Sequence, residues 1–130
     1  MTANYTPPLT ELLFTMEHVA CWREGMGAVA GGLPEGDIAS IFEQCGTLVS
    51  EVMTPLNQPS DRAPSAWRDG VVTMPAGWKA AYRAWAEAGW NGISLPSDYG
   101  GAGMPVLMQS ATMEMLTSAC MAMEIGRAHV

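Results

Sequence analysis

Apolar residues recur at three- and four-residue spacing over most of the chain, and the breaks fall in a few stretches rich in glycine and proline. That period predicts helices with one buried stripe. The first follows Pro7 and Pro8, with Thr10 as its cap, and places Leu9, Leu12, Leu13, Met16, Val19 and Ala20 on one face. Gly25, Gly27, Gly31, Gly32 and Pro34 end it. The second, capped by Asp37, carries the clearest stripe: Ile38, Ile41, Phe42, Cys45, Leu48, Val49 and Val52, closed by Pro55. A polar, proline-rich run from 57 to 66 reads as a surface loop, and Asp69-Gly70 between short β-prone pieces predicts a tight hairpin near 66–74. A third helix from Pro75 sets Trp78, Ala81, Tyr82, Trp85 and Ala88 on one side. The fourth, from about Pro105 to Met123, is apolar on nearly every face, which points to enclosure by other helices. The expected class is all-α: about four helices with one short β-hairpin-like insert.

The connection between the last two helices has its own character. Residues 89–103 read GWNGISLPSDYGGAG, with five glycines. Glycine permits left-handed backbone and close approach of another surface, so this loop is expected to lie tightly against something. It is neither GxGxxG after a strand nor GxxxxGK[ST], and it lacks the lysine a phosphate-cradling loop uses.

Composition narrows the function classes. With 130 residues and 48% hydrophobic content the chain can bury a core, and disorder is excluded. A net charge of −7 with six scattered Lys and Arg argues against a grip on nucleic acid. No run is long and apolar enough to span a bilayer, and the N-terminus lacks a secretory pattern. Cys21, Cys45 and Cys120 are odd in number and without CxxC spacing. Buried thiols in a reducing compartment are the expectation, and a cytoplasmic location follows.

Familiar catalytic patterns are missing. His18 has no second ligand at i+3 or i+4 and reads as a surface histidine, and no serine sits in a nucleophile elbow. Met104, Met108, Met113, Met115, Met121 and Met123 crowd the fourth helix beside Cys120. Soft sulfur ligands suit Cu(I), but adaptable core packing or the lining of an apolar pocket accounts for the same residues. Trp78, Tyr82, Trp85 and Trp90 read first as a packing ridge, with ligand stacking the lesser reading.

The order of several short motifs resembles the N-terminal region of the acyl-CoA dehydrogenase family. They are YTPPL at 5–9 leading into Leu13-Phe14, MTPLN at 53–57, DGVVTMPAGW at 69–78, AYR at 81–83, GWNG at 89–92, PSDYGGAG at 96–103 and EML at 114–116. The similarity covers nearly all of residues 5–123. More narrowly it resembles the branch with an extra N-terminal segment, typified by 3-methylmercaptopropionyl-CoA dehydrogenase. The resemblance implies an N-terminal extension helix and Gly-rich linker over 1–34 and a partial N-terminal helical domain over 35–123. Residues 124–130, which depart from the family, are expected to be a non-native tail resembling translated sequencing adapter.

The resemblance further implies an FAD-dependent α,β-dehydrogenation of an acyl-CoA thioester, 3-methylmercaptopropionyl-CoA or a fatty acyl-CoA. In the family a glutamate takes the α-proton while a hydride leaves the β-carbon for the flavin, and electrons pass to an electron-transfer flavoprotein. Members are homo-oligomers and several times longer than this chain. The base therefore lies beyond it, and neither Glu114 nor Glu124 takes that role. The fourth helix borders the acyl-chain cavity in the family, which makes Met115, Ser118 and Met121, three apart, the candidate substrate-binding residues. The chain alone is expected to be inactive, to hold no FAD, and to associate through an exposed fourth helix with few partners of its own. The alternative is a self-contained helical binding or scaffolding module without catalysis.

Overall fold

A computed structural model describes residues 5–25 and 35–127. The architecture is a helical bundle with a two-stranded antiparallel sheet at its side. Among the described residues six α-helices follow in order: α1 (Leu9–Phe14), α2 (Trp22–Gly25), α3 (Glu35–Leu48), α4 (Thr54–Arg62), α5 (Trp78–Glu87) and α6 (Val106–Arg127). Strands β1 (Ala66–Arg68) and β2 (Val71–Thr73) lie between α4 and α5.

Two π-turns distinguish this bundle from four plain helices. The first spans Thr15–Val19 and the second Val49–Met53. In each the closing amide reaches back five residues, from Ala20 to Thr15 at 2.9 Å and from Thr54 to Val49. The wider turn rotates everything after it relative to a 3.6-residue period. Leu12 and Met16 are buried as the stripe predicts, whereas Val19 is 70% exposed and Ala20 also faces water. Cys21 then takes a left-handed φ of 44° and is exposed, not the buried thiol expected of it. Thr10 lies inside α1; Pro8 occupies the cap position and no side chain caps the helix. Among the breaking residues Gly25 ends α2, while Gly27, Gly31, Gly32 and Pro34 lie outside the described residues.

The second predicted helix is longer than its pattern. α3 starts at Glu35, so Asp37 sits in the first turn rather than at the cap, still on the end of the dipole that favours a carboxylate. Pro55 does not close the run. It falls at the first turn of α4, where a missing N–H costs nothing, and the chain continues helically to Arg62. Residues 57–62 are therefore helix, with Pro59 inside it, rather than loop. Thr54 secures the junction by donating its hydroxyl to the Val49 carbonyl at 3.1 Å.

The hairpin follows its turn chemistry. Asp69 and Gly70, at φ 51° and 81°, supply the two left-handed positions of a two-residue turn. The register pairs Ala66 with Thr73, Trp67 with Val72 and Arg68 with Val71. α5 starts at Trp78, three residues later than Pro75 implies. Gly77 at φ 87° turns the chain first, and a Cβ there would meet the Leu56 side chain at 2.8 Å. Trp78, Ala81 and Trp85 are buried, while Tyr82 and Ala88 are exposed.

The core centres on Phe42, Cys45, Val49, Met53, Met108, Met115 and Leu116, all fully buried. α6 packs on α3, on the second π-turn and on α4. The expectation of a fourth helix with few partners thus fails. Most of its apolar positions, Val106 and Met121 excepted, are covered from inside the chain, because the π-turn and α4 prolong α3 into a wall long enough to meet them.

Candidate functional site

The approach to α6 is the glycine-rich loop, and its partner is itself. Two short 3₁₀ turns, Trp90–Gly92 and Ser97–Tyr99, fold the loop back on its own backbone. The Gly92 carbonyl accepts from Leu95 at 3.1 Å and from Ala102 at 3.0 Å; Leu95 accepts from Gly103 at 2.9 Å; Ile93 accepts from Met104 at 2.9 Å. A Cβ on Gly101 would lie 2.1 Å from the Leu95 carbonyl oxygen. The close approach read from composition is therefore met within the loop. The Ser94 hydroxyl pairs with the Gln109 side chain and fixes the loop to the first turn of α6.

α6 itself is two runs joined at a break. Cys120 has φ −156° and ψ 78°, outside helical geometry, between Ala119 and Met121. Burial raises the Cys120 thiol pKa. Nothing in the residue pattern marks this break; a lone cysteine among apolar neighbours reads as helix interior.

Of the three candidate residues, Met115 is fully buried, Ser118 is exposed, and Met121 is 57% exposed beyond the break. They form a gradient from core to surface along one side of α6 rather than one uniform lining. Burial raises the Tyr5 pKa, and Glu114 and Cys45 raise it further. Beyond the break, Ala122 borders an open groove of about 400 Å³ with Ser60, Pro64, Met74, Pro75 and Trp78. The Trp78 indole N–H donates to Ser60 in its floor.

The remaining candidate chemistry resolves into packing. Met108, Met115 and Met123 are core residues, and Met104 and Met113 pack partly buried against them. Among the described residues no group of three His, Cys, Asp or Glu side chains is placed to hold a metal. His18 is exposed and its ring lies 4.7 Å from that of Phe14. Glu17, on the surface, has a lowered pKa because it accepts the Trp22 indole N–H at 2.9 Å and then the Arg23 guanidinium at 3.1 Å. The Trp85 and Trp90 rings pack at 5.9 Å, 37° apart, as a ridge joining α5 to the loop. No helix among the described residues is long and apolar enough to cross a membrane.

This helical frame and its loop belong to a known class. The model of the acyl-CoA dehydrogenase N-terminal domain matches residues 45–129, and the chain is a member of that family. It is similar to 3-methylmercaptopropionyl-CoA dehydrogenase of Ruegeria pomeroyi, 29% identical over 119 residues. That similarity covers 91% of this chain and 20% of the relative. So wide a span takes in most of the residues before Cys45, where the match to the domain model begins.

Proposed function

We propose that this chain is the N-terminal portion of an FAD-dependent oxidoreductase that introduces an α,β double bond into an acyl-CoA thioester. The observation that carries the reading is the match to the family's N-terminal domain over residues 45–129. The relative of Ruegeria pomeroyi supports 3-methylmercaptopropionyl-CoA, with a fatty acyl-CoA the other substrate in view. An electron-transfer flavoprotein as acceptor, a homo-oligomeric state and a cytoplasmic location complete the proposal. Residues 1–34 form the extension and 35–123 the partial helical domain.

In this proposal the chain by itself makes no flavin site. The loop amides of Gly92, Leu95, Gly101, Ala102 and Gly103 are bonded to carbonyls of the same loop, so they offer no cradle to a pyrophosphate. Flavin contacts and the catalytic base are assigned to the rest of the longer protein. What this chain contributes is shape: Met115, Ser118 and Met121 on α6 are proposed to border the acyl chain. A flexible thioether at the exposed position suits an acyl chain that varies in length or carries sulfur.

The test is Met121→Trp in the full-length enzyme, with kcat/KM measured across acyl-CoA chain lengths. A shift towards shorter chains is the expected outcome, and an unchanged preference removes Met121 from the wall. The isolated chain, purified alone, is expected neither to retain FAD nor to reduce a dye acceptor with any acyl-CoA. A yellow preparation would overturn that part.

A further inference from the structure

One face of the hairpin runs into the groove beside α6. Side chains alternate along each strand, and residues opposite one another share a face. Trp67 and Val72 are opposite and stand together, while Arg68 and Val71 take the other side. The same register carried one rung past Ala66 and Thr73 sets Ser65 against Met74. The Ser65 hydroxyl donates to the Met74 sulfur at 3.6 Å, which fixes that rung. By the alternation it lies on the Trp67 and Val72 side. Ser65 and Met74 also border the groove, with Pro75, Trp78 and Ala122. A single apolar surface therefore passes from Trp67 and Val72 through Met74 to Ala122, on the second run of α6. Its hydroxyls are already engaged, Ser65 on Met74 and Ser60 on the Trp78 indole, so it offers an occupant apolar contact rather than hydrogen bonds.

Two observations select what covers this face. Trp67, Val72, Met74 and the groove lining leave roughly 400 Å² in water, taking about 150–250 Å² for a whole aromatic side chain. That is half of the roughly 800 Å² which each partner gives to a stable complex of separate molecules, so the face is too small to hold a second copy alone. A segment of the same polypeptide needs less area, because its tether keeps it at an effective concentration on the order of millimolar. The proposed full-length enzyme supplies such a segment: this chain spans 20% of the relative it matches, and most of that protein lies outside the matched stretch.

We propose that the Trp67 and Val72 face of the hairpin, with the groove behind it, is an intramolecular seat: an apolar segment from the remainder of the full-length enzyme packs over Trp67 and along the groove as far as Ala122. This rests on the reading of the chain as the N-terminal portion of a longer enzyme. Ala122 directly follows Met121, so the seated segment ends beside a residue proposed to border the acyl chain.

The experiment uses the full-length flavoenzyme with a photo-crosslinking residue at one position at a time: Trp67→p-benzoylphenylalanine, Val72→p-benzoylphenylalanine and, on the opposite face, Val71→p-benzoylphenylalanine. After irradiation the products are sized on a denaturing gel and mapped by peptide mass spectrometry. The Trp67 and Val72 variants are expected to join one common peptide from outside the 130 residues of this chain, in a product that runs as a single polypeptide. The Val71 variant should give about tenfold less of it, because that side chain stands on the other side of the sheet. A product of dimer mobility would give the face to a second copy and overturn the proposal. Equal yields from Val71 and Trp67, or no crosslink from either Trp67 or Val72, would overturn it too. Should one of the Trp67 and Val72 variants fail to fold, the other reads the same face. Flavin absorbance and turnover of the unaltered enzyme with an acyl-CoA are measured alongside. An active enzyme without the crosslink sinks the seat alone; a crosslinked protein that neither holds flavin nor turns over sinks the functional reading alone.

Discussion

α6 and the β1–β2 hairpin are both rich in apolar side chains and use them in opposite ways. On α6, Met108, Met115, Leu116, Cys120 and Met123 vanish from solvent. On the hairpin, Trp67, Val71 and Val72 stay 73%, 63% and 59% exposed, and every strand residue faces water. Helix burial follows from the wall that α3, the second π-turn and α4 build opposite it. The hairpin is held instead by its turn and its ladder, and among the described residues no layer covers either face. Hydrophobicity tells which residues gain from cover; only topology decides whether cover arrives.

That contrast can be broken at its buried end first. Phe42→Ala empties the middle of the core facing α6 and should cost about 3–5 kcal/mol, read as a lower urea midpoint at unchanged slope. A loss under 1 kcal/mol would mean that α3 and α6 are not packed as described. Gly101→Ala comes next. Its methyl group would collide with the Leu95 backbone carbonyl, a fixed neighbour, and about 2–3 kcal/mol is expected from overpacking. An ordinary, unstrained alanine there would show that the loop does not fold back on itself.

A pH series gives a smaller effect. Burial pushes the Cys45 thiol up to about 12, above the value near 9 of an unhindered thiol. Between these values the unfolded chain has lost the proton and the folded chain has kept it. Stability is thus fully present below about pH 9 and falls as pH rises, by at most about 1.4 kcal/mol per unit. The difference in slope between the chain and its Cys45→Ala variant, from pH 8 to 11, isolates this contribution; equal slopes would contradict the burial. Smallest of all is Trp67→Ser on the hairpin, expected within about 0.5 kcal/mol because the indole is already in water. A larger loss from the chain alone would show that the hairpin is covered.

The sequence period identified the right apolar residues on α3, and Trp78, Ala81 and Trp85 on α5 though not Tyr82 and Ala88, because burial there follows a plain 3.6-residue helix. It failed where the backbone leaves that period without a marker. The π-turns at Thr15–Val19 and Val49–Met53 contain no glycine or proline, and they moved Val19 outward and carried the chain past Pro55. The hairpin was legible from Asp69-Gly70, since few residue pairs accept two successive left-handed positions. The family was legible from the order of short motifs. The seat of Pro7 on Gly46 was not, because no local pattern records a tertiary meeting.

The break at Cys120 also has an electrical side. A continuous α6 of 22 residues would carry one macrodipole along its whole length. Interrupted at Cys120, it carries two in series, and the carbonyl-rich end of the first run abuts the amide-rich end of the second within a few ångströms. Opposite partial charges meeting there largely neutralise each other. The outer ends of the rod keep their partial charges; what this offset removes is the polarity that the break itself would expose beside fully buried apolar side chains.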